Sequence, residues 1–223
     1  ASIAKAVEQG RTVYENIRKS IAFMLPTNGG EAMIVIGAIA VGLPLPITPI
    51  QILWINMVTT VTLALALAFE PAEEATMMRP PRSPDEPIIG PYLVWRIAYV
   101  SVFMTAVSFA LFLYVESGNG LDHARGLVVN VIVALEAAYL LNSRFVRSSV
   151  LSIKGLFGSR PVLIAIGAVV LLQLAFTYLP PFQAMFATET LSLSDWGLVI
   201  AAAAGLFLVV EIEKIVARAV LRR

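Results

Sequence analysis

Apolar residues fall along this chain in long blocks, not in the short alternating runs of strands. Six blocks approach the roughly 20 residues that a helix needs to cross a hydrocarbon core. They lie at about 20–43, 50–69, 92–115, 124–142, 161–179 and 195–212. The fourth is the most interrupted, by Asn130 and Glu136. The pattern predicts an all-α membrane protein with six transmembrane helices. An even count puts both termini on one side. Ahead of the first block, Ile3, Val7, Tyr14 and Ile17 recur at helical spacing among charged residues. Nothing breaks that pattern before residue 20, so one long rod is expected to run into the first span.

The breaks between blocks add topology. The segment 43–49, Leu-Pro-Leu-Pro-Ile-Thr-Pro, reads as a tight turn that makes the first two spans an antiparallel hairpin. The segment 70–91 is long, charged and proline-rich, and proline breaks helix, so extended chain is expected there. With the N-terminus cytoplasmic, the outer loops hold Arg125 alone, and the other fifteen of the sixteen basic residues lie inside. Basic residues favour the cytoplasmic side, so both termini are expected there. Trp54, Tyr92, Trp95, Tyr114, Tyr178 and Trp196 fit anchoring at the interfaces, with Trp54 placed deeper.

Composition agrees and excludes other classes. The chain is 58% apolar and 14% charged, with mean hydropathy +0.83. Soluble domains sit near 45–50% and about 25%. A net charge of +1 gives no support for nucleic-acid binding. Without cysteine there is no disulfide or thiolate site, and His123 alone supports no histidine metal site or triad. His123 falls in an outer loop and is expected to be solvated. Chain start at Ala1, without a signal peptide, leads us to expect a piece of a longer polypeptide.

Polar residues inside the spans cost about 2.5–3.5 kcal/mol when charged, so they normally face a partner or cavity. The first span carries Pro26, Thr27, Asn28, Gly29, Gly30 and Glu31; the second Asn56, Thr59, Thr60 and Thr62; the fourth Asn130, Glu136 and Asn142. Asn28 and Glu31 stand three apart on one helix face, as do Asn56, Thr59 and Thr60. Pro26 has no N–H and frees carbonyls near Ala22 and Phe23. Such oxygens are ligands for hard cations, and a membrane carboxyl can also carry a proton. The bland readings are back-bonding for the threonines, interhelical bonding for Asn130 and Asn142, and packing for Gly29-Gly30. Glu211 and Glu213 are expected to pair with Lys214 or Arg218. The third, fifth and sixth spans carry few polar groups and read as scaffold.

These residues resemble the C-terminal membrane half of P-type cation-transporting ATPases, in the calcium-pump branch. The resemblance rests on Glu-Gln-Gly-Arg-Thr-Val-Tyr-Glu-Asn-Ile-Arg-Lys (8–19), Asn-Gly-Gly-Glu (28–31), Leu-Pro-Ile-Thr-Pro-Ile-Gln-Ile-Leu-Trp-Ile-Asn-Met-Val-Thr (45–59), Met-Arg-Pro-Pro-Arg-Ser-Pro (78–84) and the run from Glu136 to Ser143. It implies that the six spans are the family's helices five to ten. Residues 1–19 would be a cytoplasmic stalk at the end of the phosphorylation domain, and 20–223 the cation-transport domain. It suggests Asn28, Glu31, Asn56, Thr59 and Glu136 as ligands of the transported cation, calcium or another. Where calcium pumps carry an aspartate, this chain has Thr60. That departure leaves one divalent ion, a monovalent ion or a proton-coupled cycle open.

The family's phosphorylation motif, D-K-T-G-T, does not occur here, nor does a Walker-type glycine loop. Mg and ATP would belong to domains of the parent pump outside this chain. The implied partners are the lipid bilayer and the pump's N-terminal helices and cytoplasmic domains. The alternatives are a self-contained six-helix transporter or channel, which would need its own gate and a repeat, and a purely structural membrane module, which leaves Glu31 unexplained.

Overall fold

A computed structural model describes residues 2–71, 77–78, 87–145 and 149–221, without the side chains of 153–154 and 220–221. Most of the 70–91 segment, with Arg79 and Arg82, lies outside the described residues, so its expected extended course does too.

The expected rod is present. Helix α1 runs unbroken from Ser2 to Val41 with Pro26 inside it. At 1.5 Å per residue its 40 residues span about 60 Å, twice a hydrocarbon core of about 30 Å. It ends because Gly42 turns left-handed, with φ +70°. The Leu43 N–H then reaches the Ala38 carbonyl (3.0 Å) and the Gly42 N–H that of Ile39 (3.2 Å). The proline-rich turn follows, and α2, Pro49–Thr59, starts on a capping box. There Thr48 Oγ1 accepts from the Gln51 N–H, and Gln51 Oε1 accepts from the Thr48 N–H. A π-helical turn, Thr60–Ala64, interrupts the second span before α3, Leu65–Ala68. The remaining elements are α4 Pro91–Asn119, α5 Leu121–Ser143, α6 Ile153–Phe157, α7 Arg160–Tyr178, α8 Pro180–Phe186 and α9 Leu193–Leu221.

Among the described residues, five helical segments are long and apolar enough to cross a membrane: α1, Pro49–Ala68, α4, α5 and α7. The chain is therefore an integral, multi-pass membrane protein. The block at 195–212 falls within α9, which packs along α5.

Helix α5 is the hub. Buried positions make up 72% of its apolar window, against 28% in α4, so protein surrounds it where lipid would face the others. It contacts α9, α4, α1, α2 and α7. Helix α1 packs on α4 through its glycines. A Cβ on Gly29 would stand 2.6 Å from Ser101 Oγ, and one on Gly30 would stand 3.1 Å from Met104 Cβ. Packing is thus the role of this glycine pair, since small residues let helix backbones approach.

Asn130 is interhelical glue, donating to the Gly126 carbonyl (2.8 Å) and to Thr177 Oγ1 on α7 (3.1 Å). Asn142 does the same between α5 and α9 through Glu211 (2.8 Å). Trp54 is no interface anchor. It is buried against Phe176, Phe182 and Phe186, and its Nε1 points to Gln173 Oε1 at 3.3 Å.

His123 corrects the expectation of a solvated residue. It is 7% exposed, with Nε2 3.2 Å from Asp195 and Nδ1 3.8 Å from Glu189. It ties the start of α5 to the start of α9. The sequence hides this contact because 72 residues separate the pair.

At the basic end, buried ion pairs join the helices. Lys214 bonds Glu211 at 2.7 Å, the expected pairing, but Glu213 bonds Arg96 of α4 at 2.5 Å. Arg144, just past α5, bonds Glu70, just past α3, at 3.1 Å. Asn16 of α1 donates to the carbonyls of Ala68 (3.1 Å) and Glu70 (2.8 Å).

Candidate functional site

Three helices bring their polar residues together near the middle of the bundle. Glu31 of α1 is 5% exposed, although it lies in a membrane-spanning segment. Its Oε2 accepts from Asn56 Nδ2 of α2 at 2.7 Å. The same amide nitrogen donates to the Ile52 carbonyl at 3.1 Å, which fixes the ring of contacts to the helix. Glu136 of α5 is 1% exposed and close enough to feel the charge of Glu31 and to interact with the Thr59 hydroxyl. Thr59 also donates to its own Ile55 carbonyl at 3.0 Å.

One oxygen of each carboxyl, Glu31 Oε1 and Glu136 Oε2, is buried without a hydrogen-bond partner among the described residues. Two interacting buried carboxyls cannot both be ionised in a low-dielectric interior without compensation, because each buried charge costs several kcal/mol. A bound cation or a proton supplies that compensation. No group of three or more His, Cys, Asp or Glu is placed to hold a metal ion among the described residues. Neutral oxygens must therefore complete any cation's shell: the Asn56 amide, the Thr59 hydroxyl and backbone carbonyls, all hard donors.

The π turn begins one residue after Thr59. Its wider bonding disturbs the regular carbonyl ladder, and such turns recur at functional sites. Thr62 donates to the Val58 carbonyl inside it. Thr59 and Thr62 thus bond back to their own helix, as the bland reading has it, while Thr59 also faces Glu136.

Two sequence-predicted site residues are not brought in. Asn28 is exposed on α1 and Thr60 is exposed at the start of the π turn, in the same stripes as Leu25 and Ile36 of α1 and Leu53 and Met57 of α2. Neighbours three or four apart on a helix share a face only approximately, and at Asn28 and Thr60 that offset carries the side chain out of the bundle.

Sequence reasoning also missed a set of braces. Pro26 leaves the Ala22 carbonyl without its helical donor, and Tyr139 of α5 supplies one at 3.0 Å. From α4, Ser101 Oγ donates to the Pro26 carbonyl (2.8 Å), and Thr105 Oγ1 lies 3.3 Å from that of Gly30. The third span is therefore more than scaffold. Its signal was legible: Ser101, Thr105 and Ser108 recur at helical spacing in an otherwise apolar run.

The cation-transporting ATPase C-terminus family matches residues 44–216. The chain is 41% identical over 219 residues to probable cation-transporting ATPase F of Mycobacterium tuberculosis, an alignment covering 98% of this chain and 24% of that protein. It is 37% identical over 204 residues to cation-transporting ATPase pma1 of Synechocystis, covering 89% and 22%. It is 34% identical over 207 residues to a calcium-transporting ATPase of Bacillus subtilis, covering 90% and 22%. The chain thus spans about a quarter of the length of the curated relatives it matches. With membrane helices, paired buried carboxyls and a match along nearly its whole length, this chain belongs to the P-type cation-transporting ATPases and corresponds to their C-terminal membrane region.

Proposed function

We propose that this chain is the ion-binding and support part of an ATP-driven pump that exports a small cation from the cytoplasm. The observation that carries the reading is the pair of unpartnered buried oxygens on Glu31 and Glu136, set beside Asn56 and Thr59. The test is phosphorylation of the full-length pump from ATP as a function of cation concentration. Stimulation by a cation in the wild type, lost when Glu31 or Glu136 is neutralised, supports the reading.

In this reading ATP and Mg act in cytoplasmic domains of the parent pump, and residues 2–19 of α1 are the stalk that carries their motion to Glu31. Continuity of α1 through the membrane boundary supports such a lever, since a helix transmits axial displacement stiffly. Calcium is the first ion to test, because the Bacillus subtilis relative is named for calcium transport.

The reading includes six spans with both termini in the cytoplasm, which the distribution of basic residues supports. Single cysteines at Ser117 and Ser192 should react with an impermeant thiol reagent applied outside, and one at Ser83 should not. Labelling of Ser83 from outside would reverse the topology.

Asn28 and Thr60 join the ligand set in this reading only where the parent's other helices cover their exposed stripes. Thr60 offers one neutral oxygen where a carboxylate would offer charge and two. Thr60→Asp in the full-length pump should therefore raise apparent calcium affinity by about tenfold, and Thr60→Asn by much less. Calcium-dependent ATPase activity of the three proteins checks this. Equal affinities would show that Thr60 stays away from the ion.

A further inference from the structure

Proline inside a membrane helix leaves a carbonyl with no donor, and in hydrocarbon that gap must be filled by a neighbour. In α1 the gap is at Ala22, itself 2% exposed, and the Tyr139 hydroxyl donates to its carbonyl at 3.0 Å. The Tyr139 ring is fully buried and stacks on Phe23, centroids 6.2 Å apart at 20°. Its own carbonyl is held by Ser143 Oγ at 2.9 Å.

Tyr139 stands one turn from Glu136 on α5, and Ala22 lies on the same helix as Glu31. The bond therefore links the two helices that carry the two site carboxyls. It fixes the rotation and height of the loosened turn of α1 against α5. Ser101 and Thr105 brace the next two carbonyls along that face, Pro26 and Gly30, from α4. Those two carbonyls keep N–H donors within α1, so their braces are supplementary. The Tyr139 bond replaces one that proline has removed.

We propose that Tyr139 is a positioning residue for the cation site. Its hydroxyl substitutes for the N–H missing at Pro26 and thereby holds Glu31 in register with Glu136 and Asn56. The inference rests on reading those three residues as the site. It concerns geometry, so it predicts a weaker grip on the ion with the catalytic cycle otherwise intact.

The test uses the full-length pump in membranes, with phosphorylation from ATP titrated in parallel with calcium, manganese and sodium. Tyr139→Phe keeps the ring and removes only the hydroxyl. It should raise the half-activating concentration of the activating cation by about tenfold, the usual scale for a buried hydrogen bond left half-made. Phosphorylation at saturating cation should stay within about twofold of wild type. Pro26→Ala restores the helical N–H to the Ala22 carbonyl. In that background Tyr139→Phe should change the half-activating concentration by less than about twofold, because the two changes act on one bond.

An equal loss in both backgrounds would overturn the inference, as would a Tyr139→Phe variant indistinguishable from wild type. Glu31→Gln serves as the reference. Normal activation of that variant, or activation of the wild type by none of the three cations, removes the site reading and this inference with it. A weakened Glu31→Gln beside a normal Tyr139→Phe removes this inference alone. Should Tyr139→Phe fail to accumulate in membranes, recovery in the Pro26→Ala double variant supports the pairing, and continued failure overturns it.

Discussion

Glu31→Gln in the full-length pump is expected to raise the cation concentration that half-activates phosphorylation by about 100-fold, which is about 2.7 kcal/mol. A unit charge about 4 Å from a cation is worth about 4 kcal/mol at an effective dielectric of about 20. Glutamine keeps an oxygen and the approximate shape, which offsets part of the loss. The bond to Asn56 can persist, because the glutamine oxygen still accepts from Nδ2, now held at 2.7 Å. Folding should therefore survive, and the loss reports charge. Phosphorylation titrated with calcium checks it, with the amount of protein in the membrane measured alongside. Wild-type activation in Glu31→Gln would make this carboxyl structural.

Glu70→Ala should produce the largest loss of stability, about 3–5 kcal/mol. The Glu70 and Arg144 side chains are 5% and 3% exposed and meet at 3.1 Å. Removing the carboxylate leaves a buried guanidinium whose remaining partners among the described residues are neutral, the carbonyls of Gly155 and Leu156 and the Phe145 ring. A buried ion pair broken on one side is costly, whereas replacing both partners by apolar groups is often neutral. The double variant Glu70→Leu/Arg144→Met should thus recover most of the loss. Unfolding of the purified full-length protein in mixed micelles by added sodium dodecyl sulfate compares the three. A double variant as unstable as the single one would mean that the pair contributes more than mutual compensation.

The spans were legible because membrane helices announce themselves in one dimension. A run of about 20 apolar residues is a local property, needing no knowledge of neighbours. Glu31, Asn56, Thr59 and Glu136 were legible for the same reason, as polar residues where polarity is expensive. Pairing was less accessible. Helical spacing puts Asn28 and Glu31 on one side of α1, but the edge of the packed face falls between them, leaving one exposed and the other 5% exposed. That edge is set by α4 and α5, which lie far along the chain. Likewise, a free carbonyl at Ala22 follows from Pro26 alone, but its donor, Tyr139, is 117 residues away. His123 was misjudged because loops near helix ends look solvated in sequence, and only the return of the chain at Glu189 and Asp195 buries it. The π turn at Thr60–Ala64 has no sequence signal that we can identify.

Equilibrium binding of radioactive calcium to the purified full-length pump, without ATP, tests the central claim most directly. Competition by unlabelled calcium, manganese and sodium identifies the preferred ion. Wild type should bind saturably, and binding should fall by about 100-fold in affinity in Glu31→Gln and in Glu136→Gln, since each removes one of two charges facing the ion. Saturable binding that persists unchanged in both variants would contradict the assignment of these carboxyls to the cation site.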